Sequence, residues 1–149
     1  MHQFLVILVI LTYPLNAFAC SCDRTATDES RFNEADTVLL AEVTNTRLVK
    51  TSYEGEELEI VEADFKAIEI FKEGAETTNF VRGLSFGFGN CSVGLMSGME
   101  YIFYISTENE EYGEEFNYFV NMCDGSTAVN IHRNNFEEEL EKLRNFGKK

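Results

Sequence analysis

Apolar residues in this chain fall into short blocks separated by polar, glycine-containing stretches, and most blocks lack a helical period. Residues 37–44 (Thr-Val-Leu-Leu-Ala-Glu-Val-Thr) are β-rich, mostly apolar and too short for a helix, which predicts a strand. Residues 58–71 bring Ile60, Val61, Phe65, Ile68, Ile70 and Phe71 in partial alternation, a long strand ended by Lys72-Glu73-Gly74. Between these blocks, polar residues 49–57 with Gly55 inside predict a hairpin loop. Residues 79–88 supply Phe80, Val81, Leu84, Phe86 and Phe88, and the ring–glycine step Phe86-Gly87-Phe88-Gly89 suits a strand end with close backbone approach. The clearest strand covers residues 99–106 (Met-Glu-Tyr-Ile-Phe-Tyr-Ile-Ser). Residues 116–122 predict another, joined to it as a hairpin across the acidic stretch 108–115.

Helical signals are confined to two places. Residues 25–36 read as a short helix or turn, with Thr25 and Asp28 as a capping pair and Phe32 and Ala35 facing inward. Near the C-terminus, Phe136, Leu140 and Leu143 share one face after a cap at Asn134 or Asn135. There Glu137, Glu138 and Glu139 sit at the positive end, Lys142, Arg144, Lys148 and Lys149 at or beyond the negative end, and Gly147 stops the helix. Five or six strands with two short helices predict an all-β domain, a small closed β-barrel with a C-terminal helix.

The first residues follow a different pattern. An uncharged apolar run from Phe4 to Thr12 ends in Ala17-Phe18-Ala19, the small-x-small signature of signal-peptidase cleavage. That run is far shorter than the roughly 20 residues a bilayer span requires. Residues 1–19 are therefore predicted to be a secretory signal and residues 20–149 a single mature domain with no transmembrane segment, secreted or extracellular.

Removing residues 1–19 takes away no formal charge, so the mature domain keeps the net charge of −14. Such acidity argues against nucleic acid as a partner, because phosphate binding rests on Lys and Arg, and favours a monomer that repels its own copies.

The chain has four cysteines, Cys20, Cys22, Cys91 and Cys123, all after the cleavage site. An even count behind a signal peptide implies disulfides. A Cys20–Cys22 bridge would close a strained ring across one residue. The two remaining connectivities both tie the N-terminus to Cys91 and Cys123, through loops of roughly 70 and 100 residues that each restrict the unfolded chain by about 4 kcal/mol. A four-cysteine zinc site is the rival reading, but structural zinc sites usually space paired cysteines by two residues or more.

Catalytic signatures are missing. His132 is the single histidine after residue 19, too few for a zinc-protease helix or a three-histidine site, and no Gly-x-Ser-x-Gly elbow accompanies it. Residues 108–115 lack the Asp-x-Asp spacing of a calcium loop and read as a solvated hairpin tip. The domain is predicted not to be an enzyme and to carry no cofactor of its own.

One motif does carry chemistry. Cleavage after Ala19 would free the α-amino group of Cys20, and that amine with the Cys20 carbonyl oxygen can close a five-membered chelate ring on a metal. A catalytic zinc keeps one position open for water. The α-amino group has a pKa near 8, so zinc can compete with its proton. The terminus must be held rigid, or ordering it would cost affinity.

The sequence resembles the netrin-like module, and within it the N-terminal inhibitory domain of the tissue inhibitors of metalloproteinases. The Cys20-Ser21-Cys22 terminus follows the signal. Residues 36–43 match the family's D-x-V-x-x-A-x-V strand, Phe65 through Ile70-Phe71-Lys72-Glu73-Gly74 its aromatic-K-x-G strand end, and Cys91, Gly98-x-x-Tyr101-Ile102 and Cys123 its later cysteines and their spacing. The resemblance covers nearly all of residues 20–131. It implies an oligonucleotide/oligosaccharide-binding-type (OB-fold-like) Greek-key β-barrel with bridges Cys20–Cys91 and Cys22–Cys123. It also implies inhibition of a zinc metalloendopeptidase, with Cys20 chelating a zinc that the target protease supplies. Ser21 would then enter the primary specificity pocket, Cys22, Asp23 and Arg24 would run along the cleft, and Asn90, Cys91 and Ser92 would flank them.

The chain departs from the family in several places. Asp23, Arg24 and Thr25 stand where the family has prolines, and the third bridge and the C-terminal subdomain are missing. Asn90-Cys91-Ser92 is a glycosylation sequon, and a glycan there would cover the inhibitory edge. Two alternatives follow: a netrin-like protein-binding module without inhibition, and a lipidated bacterial domain, periplasmic or surface-anchored, built on the lipobox-like Ala17-Phe18-Ala19-Cys20.

Overall fold

The computed structural model describes residues 22, 25–53, 55–74, 78–85, 91–107, 116–129 and 135–148. Cys20, Ser21, Asp23, Arg24, Asn90, His132, the signal segment and the acidic stretch 108–115 lie outside the described residues. Among the described residues, helix α1 (Asp28–Glu34) precedes strands β1 (Thr37–Tyr53), β2 (Glu56–Lys72), β3 (Phe80–Leu84), β4 (Glu100–Ile105) and β5 (Thr127–Ala128), and helix α2 (Phe136–Phe146) follows them.

The strands form one antiparallel sheet in the order β3-β2-β1-β4-β5. Its centre is apolar on both faces, which explains why residues 37–43 and 101–105 read as near-continuous hydrophobic runs rather than alternating ones. Leu39, Ala41, Val43, Tyr101, Phe103 and Ile105 point to one side, where they meet Phe65, Val81, Leu95 and Val120. Val38, Leu40, Ile102 and Tyr104 point to the other, where Phe32 and Ala35 from the α1 segment and Leu140 and Leu143 of α2 cover them. Alternation along one pair of strands thus feeds two separate cores.

The sheet does not close on itself, which corrects the expected closed barrel. β3 and β5 are its two edges, and the contact near β3's free side is a single parallel bridge, Arg82 to Phe119. Arg82 N–H donates to Tyr118 O at 3.0 Å and Val120 N–H to Arg82 O at 2.7 Å. The chain turns before more rungs can form, because Tyr118 takes a left-handed φ of 61°. The expected 116–122 strand and its hairpin with 99–106 are therefore absent. β4 instead pairs with β5, Tyr101 opposite Ala128 and Ile102 opposite Thr127.

The polar 49–57 segment is strand rather than loop. β1 runs to Tyr53 and β2 starts at Glu56, with Gly55 at φ 84° just before β2. Its pattern mimics a loop because only one face is partly covered: Val49, Thr51 and Tyr53 are half-buried, with the Tyr53 ring against Phe116, while Lys50, Ser52 and Glu57 are exposed. Lys50 and Glu57 pair across it at 2.7 Å. Two register shifts, at Val38/Leu39 and Leu40/Ala41, place the extra residues Phe71 and Ile68 in β2 and break its alternation, while a third, at Val43/Asn45, places the extra Thr44 in β1. They leave Ile68 and Ile70 about half exposed while Phe71 is buried.

Both helices form close to where the pattern puts them, with different caps. Thr27, not Thr25, caps α1: its hydroxyl accepts from Ser30 N–H at 3.1 Å and Ser30 Oγ accepts from Thr27 N–H at 2.8 Å, a reciprocal capping box. Asn135 precedes α2 without a side-chain cap bond. Gly147 closes that helix at φ −68°, so it is not there for left-handed geometry. It is there for clearance, since a Cβ would lie 2.3 Å from Phe71 O.

Candidate functional site

The cysteine edge is built on a turn that the strand reading of 116–122 obscured. Asn121 Oδ1 accepts from Cys123 N–H at 2.7 Å and Asp124 N–H at 3.2 Å. Asp124 answers by accepting from Asn121 N–H at 2.7 Å and Ser126 N–H at 2.8 Å. Two short polar side chains thereby satisfy four backbone donors, the usual reason Asn and Asp hold turns. Gly125 supplies the positive φ of 106°, and a Cβ there would crowd Arg31 Cδ and a Tyr104 ring carbon. Ser126 is buried and its hydroxyl accepts from Tyr104 N–H at 3.0 Å, so a side chain takes the place of a ladder bond at the end of β5.

On this turn Cys123 is joined to Cys22 by a disulfide spanning 101 residues. This is one of the two bridges implied by the resemblance; the other, Cys20–Cys91, includes a residue outside the described ones. Cys91 is itself disulfide-bonded, and its sulfur lies 3.3 Å from that of Cys123. All three sulfurs fall within 4.8 Å of one another. Their grouping has the density of a metal site, yet sulfurs spent in disulfides offer no thiolate, so the four-cysteine zinc reading does not fit the described cysteines.

Hydrogen bonds brace the edge from three directions. Met122 N–H donates to Cys91 O at 2.9 Å. Ser92 Oγ donates to Leu84 O at 2.8 Å and accepts from Gly94 N–H at 3.1 Å. The buried Tyr101 hydroxyl donates to Gly94 O at 2.8 Å and accepts from Met96 N–H at 2.9 Å, pinning the segment after Ser92 to β4. Arg31 on α1 donates its Nε–H to Cys123 O at 3.2 Å. Beside the bridge a groove of about 400 Å³ runs along α1, lined by Thr25, Ser30, Arg31, Glu34, Cys123 and Asp124. Burial pushes the Asp124 carboxyl up to about 6, against the opposing pull of its backbone donors and of Arg31.

Of the predicted site residues, the structure thus gathers Cys22 and Cys91 around Cys123, with Ser92 next to Cys91 in a hydrogen-bonded turn. Sequence reading missed Arg31, Asn121, Asp124 and Ser126. The turn signal Asn121-x-x-Asp124-Gly125-Ser126 was present, but the apolar Phe119-Val120 step beside it argued for a strand.

A second polar cluster lies across strands β1, β2 and β3. Glu62 is buried between Arg47 and Arg82, accepting from Arg82 Nε–H at 2.8 Å and pairing with Arg47. Arg47 also bonds Asp64 at 2.6 Å and holds that carboxyl below its ordinary range. Arg47, Glu62 and Arg82 occupy one cross-strand row, where opposite charges support register.

No helix among the described residues is long and apolar enough to cross a membrane. Comparison with protein-family models and with curated proteins finds no match for this chain.

Proposed function

We propose that this protein is a secreted inhibitor of zinc metalloendopeptidases, acting through the amine and carbonyl of an N-terminal Cys20. The observation that carries the reading is the Cys22–Cys123 bridge. It anchors the chain two residues from Cys20 to a turn that is itself tied to Cys91 by Met122 and to α1 by Arg31. A chelating terminus needs this immobility, since each rotor frozen on binding subtracts from affinity. Ser21 would enter the primary specificity pocket, and Asp23, Arg24, Asn90 and Ser92 would line the cleft on either side.

The finer fold assignment, an OB-fold-like Greek key of the netrin-like type, draws support from the strand order β3-β2-β1-β4-β5. The parallel Arg82–Phe119 bridge also suits a chain that starts to wrap β3 toward the far edge. The domain carries no cofactor of its own, and the zinc belongs to its target. It acts as an extracellular monomer, or in a bacterium at the periplasmic or cell surface.

The test compares refolded protein starting at Cys20 with the same protein bearing one extra Ala before it. The native terminus should inhibit a zinc endopeptidase and the extended one should not, with equal thermal midpoints. Equal inhibition by both forms would refute chelation. Absence of inhibition by either would leave the netrin-like binding module. An added lipid in the intact mass of the secreted protein would identify the anchored alternative.

A further inference from the structure

The three-sulfur cluster has a property that neither stapling nor inhibition requires. In a disulfide-bonded pair of neighbours, the sulfurs of different bridges have no need to touch, yet Cys91 Sγ sits 3.3 Å from Cys123 Sγ. All three described cysteines are only partly buried. We propose that this cluster is a thiol–disulfide exchange site, in which reduction of either bridge yields a Cys91–Cys123 disulfide and frees Cys22.

The chemistry balances by either route. A dithiol supplies two electrons to the bridge at Cys91, is oxidised to its cyclic disulfide, and leaves Cys91 as a thiolate. That thiolate attacks Cys123 Sγ; the Cys91–Cys123 bond forms, the Cys22–Cys123 bond breaks, and Cys22 departs as a thiolate that takes a proton from water. If the dithiol reduces Cys22–Cys123 first, the Cys123 thiolate attacks Cys91 Sγ and reaches the same product. Neither exchange step needs a further oxidant.

Two features favour the product. Cys91 and Cys123 are 32 residues apart, against 101 for Cys22 and Cys123. In the unfolded chain the shorter loop closes roughly fivefold more readily. The Met122–Cys91 backbone bond also keeps the new pair adjacent whether or not Cys22 is attached. The exchange stands without the inhibitor reading. Its consequence, release of the N-terminal arm and loss of inhibition under reducing conditions, rests on that reading.

The sequence provides a clean readout. Trypsin cuts after Arg24, Arg82 and Arg133 and nowhere between residues 83 and 133, so Cys22 lies in one peptide and Cys91 and Cys123 share another. The protein is treated with graded dithiothreitol, alkylated and digested. At the first reduction step, the peptide ending at Arg24 should be freed with both its cysteines labelled. Peptide 83–133 should then be unlabelled and two hydrogens lighter than its reduced form. A peptide pair still linked through Cys22–Cys123, with one label on each half, overturns the proposal. So does direct passage to four labels with no looped peptide 83–133. Cys20→Ser removes the bridge's other candidate partner, and should give a mixture of linked and freed N-terminal peptide; only linked peptide, with Cys91 fully labelled, overturns it. Exchanged protein that still inhibits a zinc endopeptidase would sink the inhibitor reading while leaving the exchange intact.

Discussion

Arg31 donates its Nε–H to the carbonyl oxygen of Cys123 at 3.2 Å, so the first helix and the disulfide turn are held by one partly buried guanidinium. Replacing Arg31 with Ala strips that carbonyl of this donor and leaves Asp124 without its nearby positive charge. The expected cost is about 1–2 kcal/mol, read as a lower urea midpoint. The Asp124 carboxyl should titrate higher still, as followed by NMR. An unchanged Asp124 titration in Arg31→Ala would remove Arg31 from the electrostatics of the turn.

Asp124 gives the fold a pH signature of its own. Its folded pKa of about 6 lies above the ordinary value of 3.8. The native state therefore binds the proton more readily than the unfolded chain. The stabilisation is complete below about pH 4 and is lost as pH rises through 6, up to about 3 kcal/mol in all. Asp64 and Glu69 run the other way: hydrogen bonds from Arg47 and Arg144 lower them, so their contributions fade as pH falls through their depressed values. Between pH 4 and 7 the Asp124 effect should dominate, and unfolding midpoints should fall toward neutrality. Asp124→Asn should flatten that slope; a slope that survives the substitution assigns it to another group.

Gly147 presents the carbonyl of Phe71 with a bare α-carbon. In Gly147→Ala the new Cβ would lie 2.3 Å from that oxygen, which is backbone and cannot rotate away. The end of α2 must lift from β2, at a cost of about 1–3 kcal/mol. Ala favours helices, so a surface position would show the opposite sign. A thermal midpoint equal to or above that of the parent protein would contradict the close approach.

Tyr101→Phe keeps the ring stacked on Phe103 and deletes only the hydroxyl. Gly94 O and Met96 N–H then lose their shared partner. The expected loss is about 1–3 kcal/mol. Hydrogen exchange at Met96 should rise well above the global change, which separates loosening of residues 94–96 from loss of core packing.

Local pattern went far here because most of the chain pairs with its neighbours. Strands β1, β2, β3 and β4, the inward Phe32 and Ala35, and the Leu140/Leu143 face are all visible as hydrophobic period, and the cysteine count pointed to long-range bridges. The ribbon at residues 49–57 reads as a loop because one of its faces is exposed and the other, at Val49, Thr51 and Tyr53, is only half-buried, which leaves few apolar residues in it. The segment 116–122 failed the opposite way. Phe119 and Val120 look like strand, but Tyr118 turns left-handed and the Asn121–Asp124 exchange of hydrogen bonds outcompetes a ladder.

Residue order along the chain was therefore enough to say which positions are apolar, which two segments are helical and that four thiols are meant to pair. It carried no information on distance between segments remote in sequence. Three-dimensional packing chose which sulfur faces which, set Cys91 against Cys123, recruited Arg31 and Asp124 to the same edge and left the sheet open between β3 and β5. Those outcomes depend on how two cores fill opposite faces of one sheet, a condition that no local window of sequence contains.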